Sequence, residues 1–181
     1  MTDFVIRQAD DADVARVAEL WTTVSRDLGD RGFDQWQYPV KTVNIETAVA
    51  AGTCWVMDDD DGLAATVTLD ADADLTLWRP EDRPDDAMYV HRLVIRTDLR
   101  GIDLGSAILD WACGRARIAG KHWIRLDAWS TNQALHEYYL ARGFQLVRQV
   151  EGPNVVSGVL LERSATTALG RGPRITAVRP A

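Results

Sequence analysis

The sequence is poor in the residues that build metal centres and disulfide frameworks. It has two cysteines, Cys54 and Cys113, and three histidines among 181 residues. The cysteines lie far apart and belong to no CxxC or Cys/His pattern, which argues against a zinc site and against a disulfide network. We therefore expect two small core residues in a reducing compartment and no bound metal.

An excess of basic charge and long apolar runs are also lacking. Twenty lysines and arginines against 27 aspartates and glutamates give a formal net charge of −7. Binding to nucleic acid or to an anionic membrane needs a basic face that displaces counterions, so neither partner is expected. No run approaches the length of a membrane-spanning helix, and the N-terminus, MTDFVIRQADD, lacks a basic and apolar leader pattern. The sequence predicts a cytoplasmic protein.

The hydrophobic content of 46% is enough for the core of one α/β domain. Apolar residues at spacings of three and four predict helices, and short β-branched runs between turn signals predict strands. Asp10 or Asp11 is expected to cap the first helix, and Ser130 or Thr131 the last. Strands are predicted over residues 4–8, 53–57, 63–69, 123–128, 144–151 and 156–161 and from residue 88, and helices over residues 14–28, 43–51, 104–118 and 132–142.

Three connecting segments carry unusual side chains. The segment 29–39 holds Phe33, Trp36 and Tyr38, which are costly to expose, so it either packs into the core or lines a pocket. The acidic run at 58–62 ends in Asp-Gly and predicts a solvated hairpin turn. Asp70, Asp72, Asp74 and Glu81 imitate a calcium loop, but Leu75 stands where such a loop needs glycine. Pro80 and Pro84 then predict an exposed loop.

The stretch from Met88 to Gly105, MYVHRLVIRTDLRGIDLG, runs from a strand through a basic turn to a glycine-flanked helix N-terminus. The first turn of a helix leaves backbone N–H groups unpaired at the positive end of the helix dipole. Such a terminus attracts an anion without a dedicated side chain, so this stretch predicts a site for a phosphate group.

Two motifs follow each other along the chain: the run RGIDLG, residues 100–105, and then Asn132, Tyr139 and the pair Gly143-Phe144. Together they resemble the GNAT superfamily of acyl-CoA-dependent N-acetyltransferases. The first resembles its pyrophosphate loop of form (Gln/Arg)-x-x-Gly-x-(Gly/Ala), and the second keeps the spacing of its second conserved block. The resemblance covers residues 4–162. It implies a mixed, mostly antiparallel central sheet flanked by helices and splayed at the cofactor cleft, within a domain of residues 1–163 followed by a tail of residues 164–181.

The resemblance implies acetyl-CoA as co-substrate, with no metal. The backbone of Leu93, Val94 and Ile95 would pair with the pantetheine arm like an added strand, and Asn132 would hydrogen-bond it. The pyrophosphate would lie on the loop and the first helical turn, formed by Arg100, Gly101, Ile102, Asp103, Leu104, Gly105 and Ser106.

Asp103 departs from the family pattern, which usually has glycine at this position. An aspartate adds a Cβ and a negative charge near a dianion. Its side chain could instead point outward and cap the helix, where a carboxylate is favoured. Arg96 and Arg100 would then offset part of the repulsion, and the departure affects the expected affinity for the cofactor.

By the same resemblance, Tyr139 is the expected general acid, and Tyr138 is the core alternative. Protonation of a thiolate by a phenol is uphill by about 2 kcal/mol from their ordinary pKa values, which a nearby positive dipole would reduce. His91, on the strand face of Leu93 and Ile95, and Asp127, five residues before Asn132, are the candidates for the base. A water chain, or an amine that is already neutral, would also suffice.

The predicted activity is acetyl transfer to a primary amine by direct attack, with a small molecule or a peptide as the acceptor. Residues 33–38, Trp129 and the acidic loop 70–86 are expected to line the acceptor region, and that acidity suits a cationic amine. The alternative is a non-catalytic module that binds acyl-CoA as a sensor or pairs with another protein. A homodimer is one possible assembly. A nucleotide-binding glycine loop is disfavoured, because no Lys-Ser/Thr follows it.

Overall fold

The structure is a computed structural model that describes residues 4–178. The chain forms two compact units: residues 4–69, 92–108 and 170–178, and residues 70–91 and 109–169. The strands are β1 (Phe4–Gln8), β2 (Cys54–Asp59), β3 (Gly62–Asp70), β4 (Ala87–Ile95), β5 (Trp123–Ala128), β6 (Gln145–Gln149), β7 (Val159–Ser164) and β8 (Ile175–Ala177), and the helices are α1 (Asp13–Asp30), α2 (Thr42–Ala50), α3 (Leu104–Ile118) and α4 (Gln133–Leu140).

In the first unit the strand order is β4-β3-β2-β1-β8, and helices α1 and α2 pack on the strands. Strands β1 and β2 are antiparallel, as are β2 and β3, whereas β8 is parallel to β1. The predicted helical stripe of α1 is confirmed, because Val17, Trp21 and Val24 are buried in one cluster with residues of α2, β2 and β4. The mixed α/β class with a sheet flanked by helices is thus the predicted one.

The start of α1 differs from the prediction. Its N-cap position is Ala12, which has no side chain that could accept a hydrogen bond. Asp10 instead accepts a bond from the Ala12 N–H at 2.9 Å, two residues before the N-cap position, and so does not cap the helix. The carboxylate of Asp13, inside the first turn, accepts a bond from the Asp10 N–H at 3.0 Å. This bond fixes the turn between β1 and α1.

The aromatic segment 29–39 is divided between core and surface. Trp36 packs edge-on against Trp21, with ring centroids 5.5 Å apart, and belongs to the partly buried shell of the core. The Ser25 hydroxyl donates to the Trp36 carbonyl at 2.6 Å, which holds the segment on α1. Tyr38, in contrast, is 47% exposed.

The prediction of a solvated acidic turn at 58–62 is wrong for its first two residues. These residues still belong to β2, so their side chains lie beside arginines of the same unit. Asp59 receives two hydrogen bonds from Arg96, at 3.1 and 2.7 Å, and its side chain is only 2% exposed. Asp58 pairs with Arg7 and Arg16. Only the following Asp60 and Asp61 are exposed.

In the second unit the strand order is β6-β7-β5-β4. Strand β4 is parallel to β5, from Ala87 opposite Trp123 to Tyr89 opposite Arg125. Strand β7 is antiparallel to β5 and to β6, and starts three residues later than predicted. Before this start the chain bonds to Ser130, whose N–H donates to the Val156 carbonyl at 2.8 Å and whose hydroxyl accepts from the Gly158 N–H at 2.9 Å.

Pro80 in the loop 70–86 is exposed, as predicted, but other residues of this loop pack against the second unit. Leu77 and Trp78 are buried, and Trp78 packs edge-on against Tyr89 with centroids 5.6 Å apart. Arg125 lies over the Trp78 ring at 4.9 Å and donates to the Asp82 carbonyl at 2.7 Å. The loop is therefore a packed part of the second unit.

The segment predicted as a tail contributes to both units. Residue 164 still belongs to β7, and residues 175–177 form β8 on β1, where the Val178 N–H donates to the Ile6 carbonyl at 3.0 Å. Residues 179–181 of the predicted tail lie outside the described residues. No helix within residues 4–178 is both long and apolar enough to cross a membrane.

Replacement of Asp59 by alanine tests the buried ion pair at the end of β2. The change leaves a mostly buried guanidinium without its bidentate partner, and we expect the free energy of unfolding to fall by about 2 kcal/mol. Chemical denaturation measures the loss. The matched control is Asp60→Ala, on an exposed carboxylate of the same turn, which should stay within about 0.5 kcal/mol of the wild type. Equal effects of the two changes would contradict the assignment.

Candidate active site

The predicted phosphate loop joins β4 to α3 in the first unit, and its backbone donors are unpaired. In the described part of the chain, the N–H groups of Gly101, Ile102, Leu104 and Gly105 have no hydrogen-bond partner. They stand immediately before or within the first turn of α3, where the helix dipole adds positive potential. The loop therefore has the chemistry of an anion site made of backbone groups.

Asp103 adopts the left-handed conformation, with φ of 61°, that glycine takes most easily. Its carbonyl accepts from the N–H groups of Ser106 and Ala107 at 3.0 and 3.3 Å, and its carboxylate accepts from the Ser106 hydroxyl at 2.7 Å. The Asp103 side chain is held at the first turn of α3 by the Ser106 hydroxyl. Asp103 thus fixes the start of α3, and the buried Ser106 hydroxyl is already engaged.

The two arginines expected to offset the charge of Asp103 have carboxylate partners of their own. Arg96 pairs with Asp59 and Asp98, and Arg100 pairs with Asp27 on α1. A phosphate bound by the Arg100 side chain would compete with Asp27. In this structure the positive character of the loop therefore comes mainly from its backbone.

Strand β4 carries the predicted pantetheine wall. In the first unit Val94 is buried in the core, whereas Leu93 and Ile95 are partly buried. In the second unit the β4–β5 ladder ends at Tyr89 and Arg125, although β5 continues to Ala128. The end of the ladder agrees with the splay that the resemblance implied.

Tyr139 lies on α4, whose N-cap is Asn132 and not the predicted Ser130 or Thr131. Asn132 Oδ1 accepts from the Leu135 N–H at 3.1 Å, so its side chain is fixed by the helix terminus. One face of this short helix is buried, and Tyr139, at 8% exposure, lies on it. The predicted residue pair is therefore held by one helix, at its cap and in its last turn.

The Tyr139 ring packs edge-on between Tyr138 and Phe144, with centroids 5.4 and 5.3 Å away. Burial, reinforced by Tyr138 and by the charge of Asp127, raises the pKa of the phenol well above its usual value. Burial therefore raises the cost of giving up this proton, against which a nearby positive dipole would have to act, and the phenol is protonated at neutral pH.

His91 and Asp127, the two candidate bases, lie in the same unit as Tyr139. Burial raises the pKa of the Asp127 carboxyl to about 6, against the lowering effect of the nearby His91 charge. His91 Nε2 lies 3.4 Å from Asp70 Oδ1, and its ring stacks on Tyr89 at 6.4 Å. In the second unit Asp127 is thus in electrostatic range of both His91 and Tyr139.

Two residues of interest escaped the sequence analysis. The sequence places Asp70 in an imitation of a calcium loop and in the acidic loop of the acceptor region, but its pairing with His91 follows from strand geometry that no local motif reveals. Arg92 has a φ of 49° inside a strand, which is unusual for a long side chain. Its guanidinium lies 5.9 Å from the Trp21 ring and helps to close a small pocket of the first unit. The other lining residues are Val17, Ile45, Cys54, Thr66 and Thr68.

The predicted acceptor residues are distributed unevenly. Trp129 is 8% exposed. His136 Nε2 lies 2.8 Å from the Trp129 carbonyl oxygen and so fixes the backbone at this position. Tyr38 is the exposed aromatic residue of the segment 33–38. Within the described ranges, no group of three or more His, Cys, Asp or Glu side chains is arranged to hold a metal ion.

Comparisons with known proteins agree with this geometry. The profile of the acetyltransferase (GNAT) family matches residues 5–144. YesJ of Bacillus subtilis (strain 168), described as an uncharacterised N-acetyltransferase, is 30% identical over 141 residues, which are 75% of this chain and 78% of that protein.

Two solved structures show the same fold. A GNAT-family acetyltransferase from Listeria monocytogenes superposes with a TM-score of 0.73 at 24% identity, over 89% of this chain and 94% of that one. The PaiA N-acetyltransferase of Thermoplasma acidophilum, solved in complex with coenzyme A, has a TM-score of 0.68 at 13% identity, over 90% and 99% of the two chains. The chain belongs to the acetyltransferase (GNAT) family and is an acyl-CoA-dependent N-acetyltransferase.

Proposed function

We propose that the protein moves the acetyl group of acetyl-CoA to a primary amine by direct attack, with Tyr139 as the general acid. The observation that carries this proposal is a protonated phenol on a buried ring, in electrostatic range of an ionisable carboxyl. Such a phenol keeps a proton that it can give to a leaving thiolate.

The residues proposed to hold acetyl-CoA fit its polar groups. The four unpaired N–H groups of Gly101, Ile102, Leu104 and Gly105 suit a pyrophosphate. The backbone of Leu93, Val94 and Ile95 and the amide of Asn132 would hold the pantetheine arm. When bound, acetyl-CoA supplies an acetyl group activated as a thioester. The PaiA N-acetyltransferase, which has the same fold as this chain, was solved in complex with coenzyme A, and this supports the choice of ligand.

Asp127 is the base that we favour. With a pKa of about 6 its carboxyl is mostly ionised at pH 7, yet is basic enough to take a proton from an ammonium group. His91, beside Asp70, adds a second titratable group. As the carbon–nitrogen bond forms and the carbon–sulfur bond breaks, Asp127 takes the proton of the amine and Tyr139 gives its proton to the leaving sulfur.

The raised pKa of Tyr139 sets a cost for this step. For a free phenol and a free thiolate this proton transfer is uphill by about 2 kcal/mol. For Tyr139 the free-energy cost is larger, because its pKa is raised. This cost favours a hydrogen bond that strengthens as charge develops on sulfur, with proton transfer completed late. Replacement of the phenol should therefore affect turnover more than binding.

The proposed acceptor is a small amine or the amino group of a peptide. The acidic loop 70–86 would attract a cationic amine. The alternative stated from the sequence is an acyl-CoA sensor without turnover, and the family assignment favours the enzyme. The cytoplasmic location and the homodimer stay predictions from the sequence.

A free-thiol assay with acetyl-CoA and a panel of amines separates the two proposals. We expect thiol release that depends on the amine, because direct attack transfers the acetyl group and liberates coenzyme A. Binding of coenzyme A is measured in parallel by calorimetry. Tight binding with no thiol release for any amine or amino-terminal peptide would favour the sensor.

Replacement of Tyr139 by phenylalanine tests the general acid. The ring packing between Tyr138 and Phe144 is kept, and we expect kcat to fall by about a hundredfold with little change in the Kd for acetyl-CoA. Steady-state kinetics at saturating substrates measures the effect. The matched control is Tyr138→Phe, one residue away on the same helix, which should turn over like the wild type. Undiminished kcat in the Tyr139 variant would remove it from the mechanism.

The pH dependence of kcat/KM tests the base. If Asp127 is the base, the rate should fall below about pH 6 as its carboxyl is protonated, and Asp127→Asn should be slow with no such limb. His91→Ala removes a charge that lowers the pKa of Asp127, so the limb should persist and move to higher pH. Loss of the limb in the His91 variant alone would assign the base to His91.

A stability measurement checks the same pKa without turnover. Because the folded pKa of Asp127 lies above the unfolded value of about 3.9, its favourable contribution is complete below pH 4 and is lost as pH rises through 6. The stability of the wild type relative to Asp127→Asn should therefore decline by on the order of 2 kcal/mol between pH 4 and pH 8. A constant difference would contradict the assigned environment.

A further inference from the structure

The C-terminal segment, defined here as residues 170–178, lies in the first unit together with the phosphate loop. Its end is fixed by β8, where Ile175, Thr176 and Ala177 run parallel to Phe4, Val5 and Ile6. The Val178 N–H continues the ladder to the Ile6 carbonyl at 3.0 Å. The segment is therefore attached to the sheet edge and is not free in solution.

The start of this segment touches the loop through a glycine. A Cβ at Gly172 would lie 2.3 Å from the carbonyl oxygen of Asp103, 2.9 Å from its carbonyl carbon and 3.3 Å from Ala107 Cβ. No side chain fits at such distances, so the Gly172 backbone lies directly against the Asp103 peptide. Its φ of +82° also suits glycine.

The Asp103 peptide is the one that orients a donor of the loop. A peptide unit is planar, so the carbonyl of Asp103 and the N–H of Leu104 turn together. The carbonyl is held by Ser106 and Ala107 within the chain and contacted by Gly172. The Leu104 N–H, at the other side of the same plane, is one of the unpaired donors at the start of α3. Displacement of Gly172 would therefore turn a donor of the predicted anion site.

We propose that the C-terminal segment is a positioning element of the pyrophosphate loop, with Gly172 as the positioning residue. The proposal rests on the proposed function in one respect, that this loop binds the pyrophosphate of coenzyme A. It also accounts for Asp103 at a position where the family usually has glycine. A left-handed aspartate held by Ser106 and contacted by Gly172 keeps a fixed peptide plane, whereas a glycine there would need neither contact.

The test is a pair of glycine substitutions in the full chain. Gly172→Ala introduces the clash with Asp103, and Gly170→Ala is the matched control, because Gly170 has a φ of +63° but nothing within 4 Å of its Cβ position. Both variants carry the strain of alanine at positive φ, so a general loss of stability affects both. We expect the Kd for coenzyme A, by calorimetry, to rise by about tenfold in Gly172→Ala and to change little in Gly170→Ala.

Kinetics gives a readout that loss of stability alone would not change. The KM for acetyl-CoA should rise in Gly172→Ala, while the KM for the amine stays near the wild-type value. Wild-type affinity for coenzyme A in Gly172→Ala, or an equal loss in Gly170→Ala, would overturn the proposal while the proposed function stands. Failure of the wild type to bind coenzyme A would overturn both.

Hydrogen exchange of the wild type decides the matter if Gly172→Ala does not fold. Coenzyme A should slow exchange of the amides of residues 104–107 and also of residues 172–178, because the two segments share the Asp103 contact. Protection of residues 104–107 with unchanged exchange in residues 172–178 would show that the segment does not support the loop, and the proposal would fall.

Discussion

The parallel pairing of β4 with β5 stops at Tyr89 and Arg125, and the chemistry of the second unit depends on that stop. Two strands that remain paired satisfy each other's backbone and leave no opening between them. His91 and Asp127 follow the last pair by two residues on each strand. Continued pairing would have placed them side by side in a closed sheet. The divergence instead leaves both groups on a backbone that has hydrogen-bonding capacity left for a ligand.

Burial then gives these groups their different acidities. Asp127 is enclosed enough that its pKa rises to about 6, and the positive charge of His91 prevents a larger rise. Tyr139 is enclosed more deeply, and its pKa moves upward as well. The two shifts have the same cause but opposite uses. A carboxyl whose pKa is raised becomes a better base near neutral pH, whereas a phenol whose pKa is raised stays protonated and keeps a proton to donate.

The sequence predicted what depends on local pattern and missed what depends on partners distant in the chain. The stripe of α1, the strand at 123–128 and the glycine loop before α3 each follow from a period or a motif, and the structure has them. The burial of Asp59 could not be read locally, because its partner Arg96 is 37 residues away. The pairing of Asp70 with His91 escaped for the same reason. The sequence predicts Ser130 or Thr131 as the cap of α4, but Asn132 caps it. All three residue types are common at N-caps, so residue type alone does not choose among them.

The arginines explain why, in the proposed function, the loop would bind the pyrophosphate with its backbone. Arg96 and Arg100, the basic residues nearest to the loop in sequence, both have carboxylate partners in an acidic protein of net charge −7. Their guanidinium groups are already paired with carboxylates of β2 and α1. The remaining source of positive potential is the row of unpaired N–H groups at the start of α3, whose directions are set by peptide planes. A binding site made of peptide planes is only as precise as the contacts that fix them. Asp103, Ser106 and Gly172 supply those contacts, and for this reason a residue near the end of the chain matters to a motif seventy residues earlier.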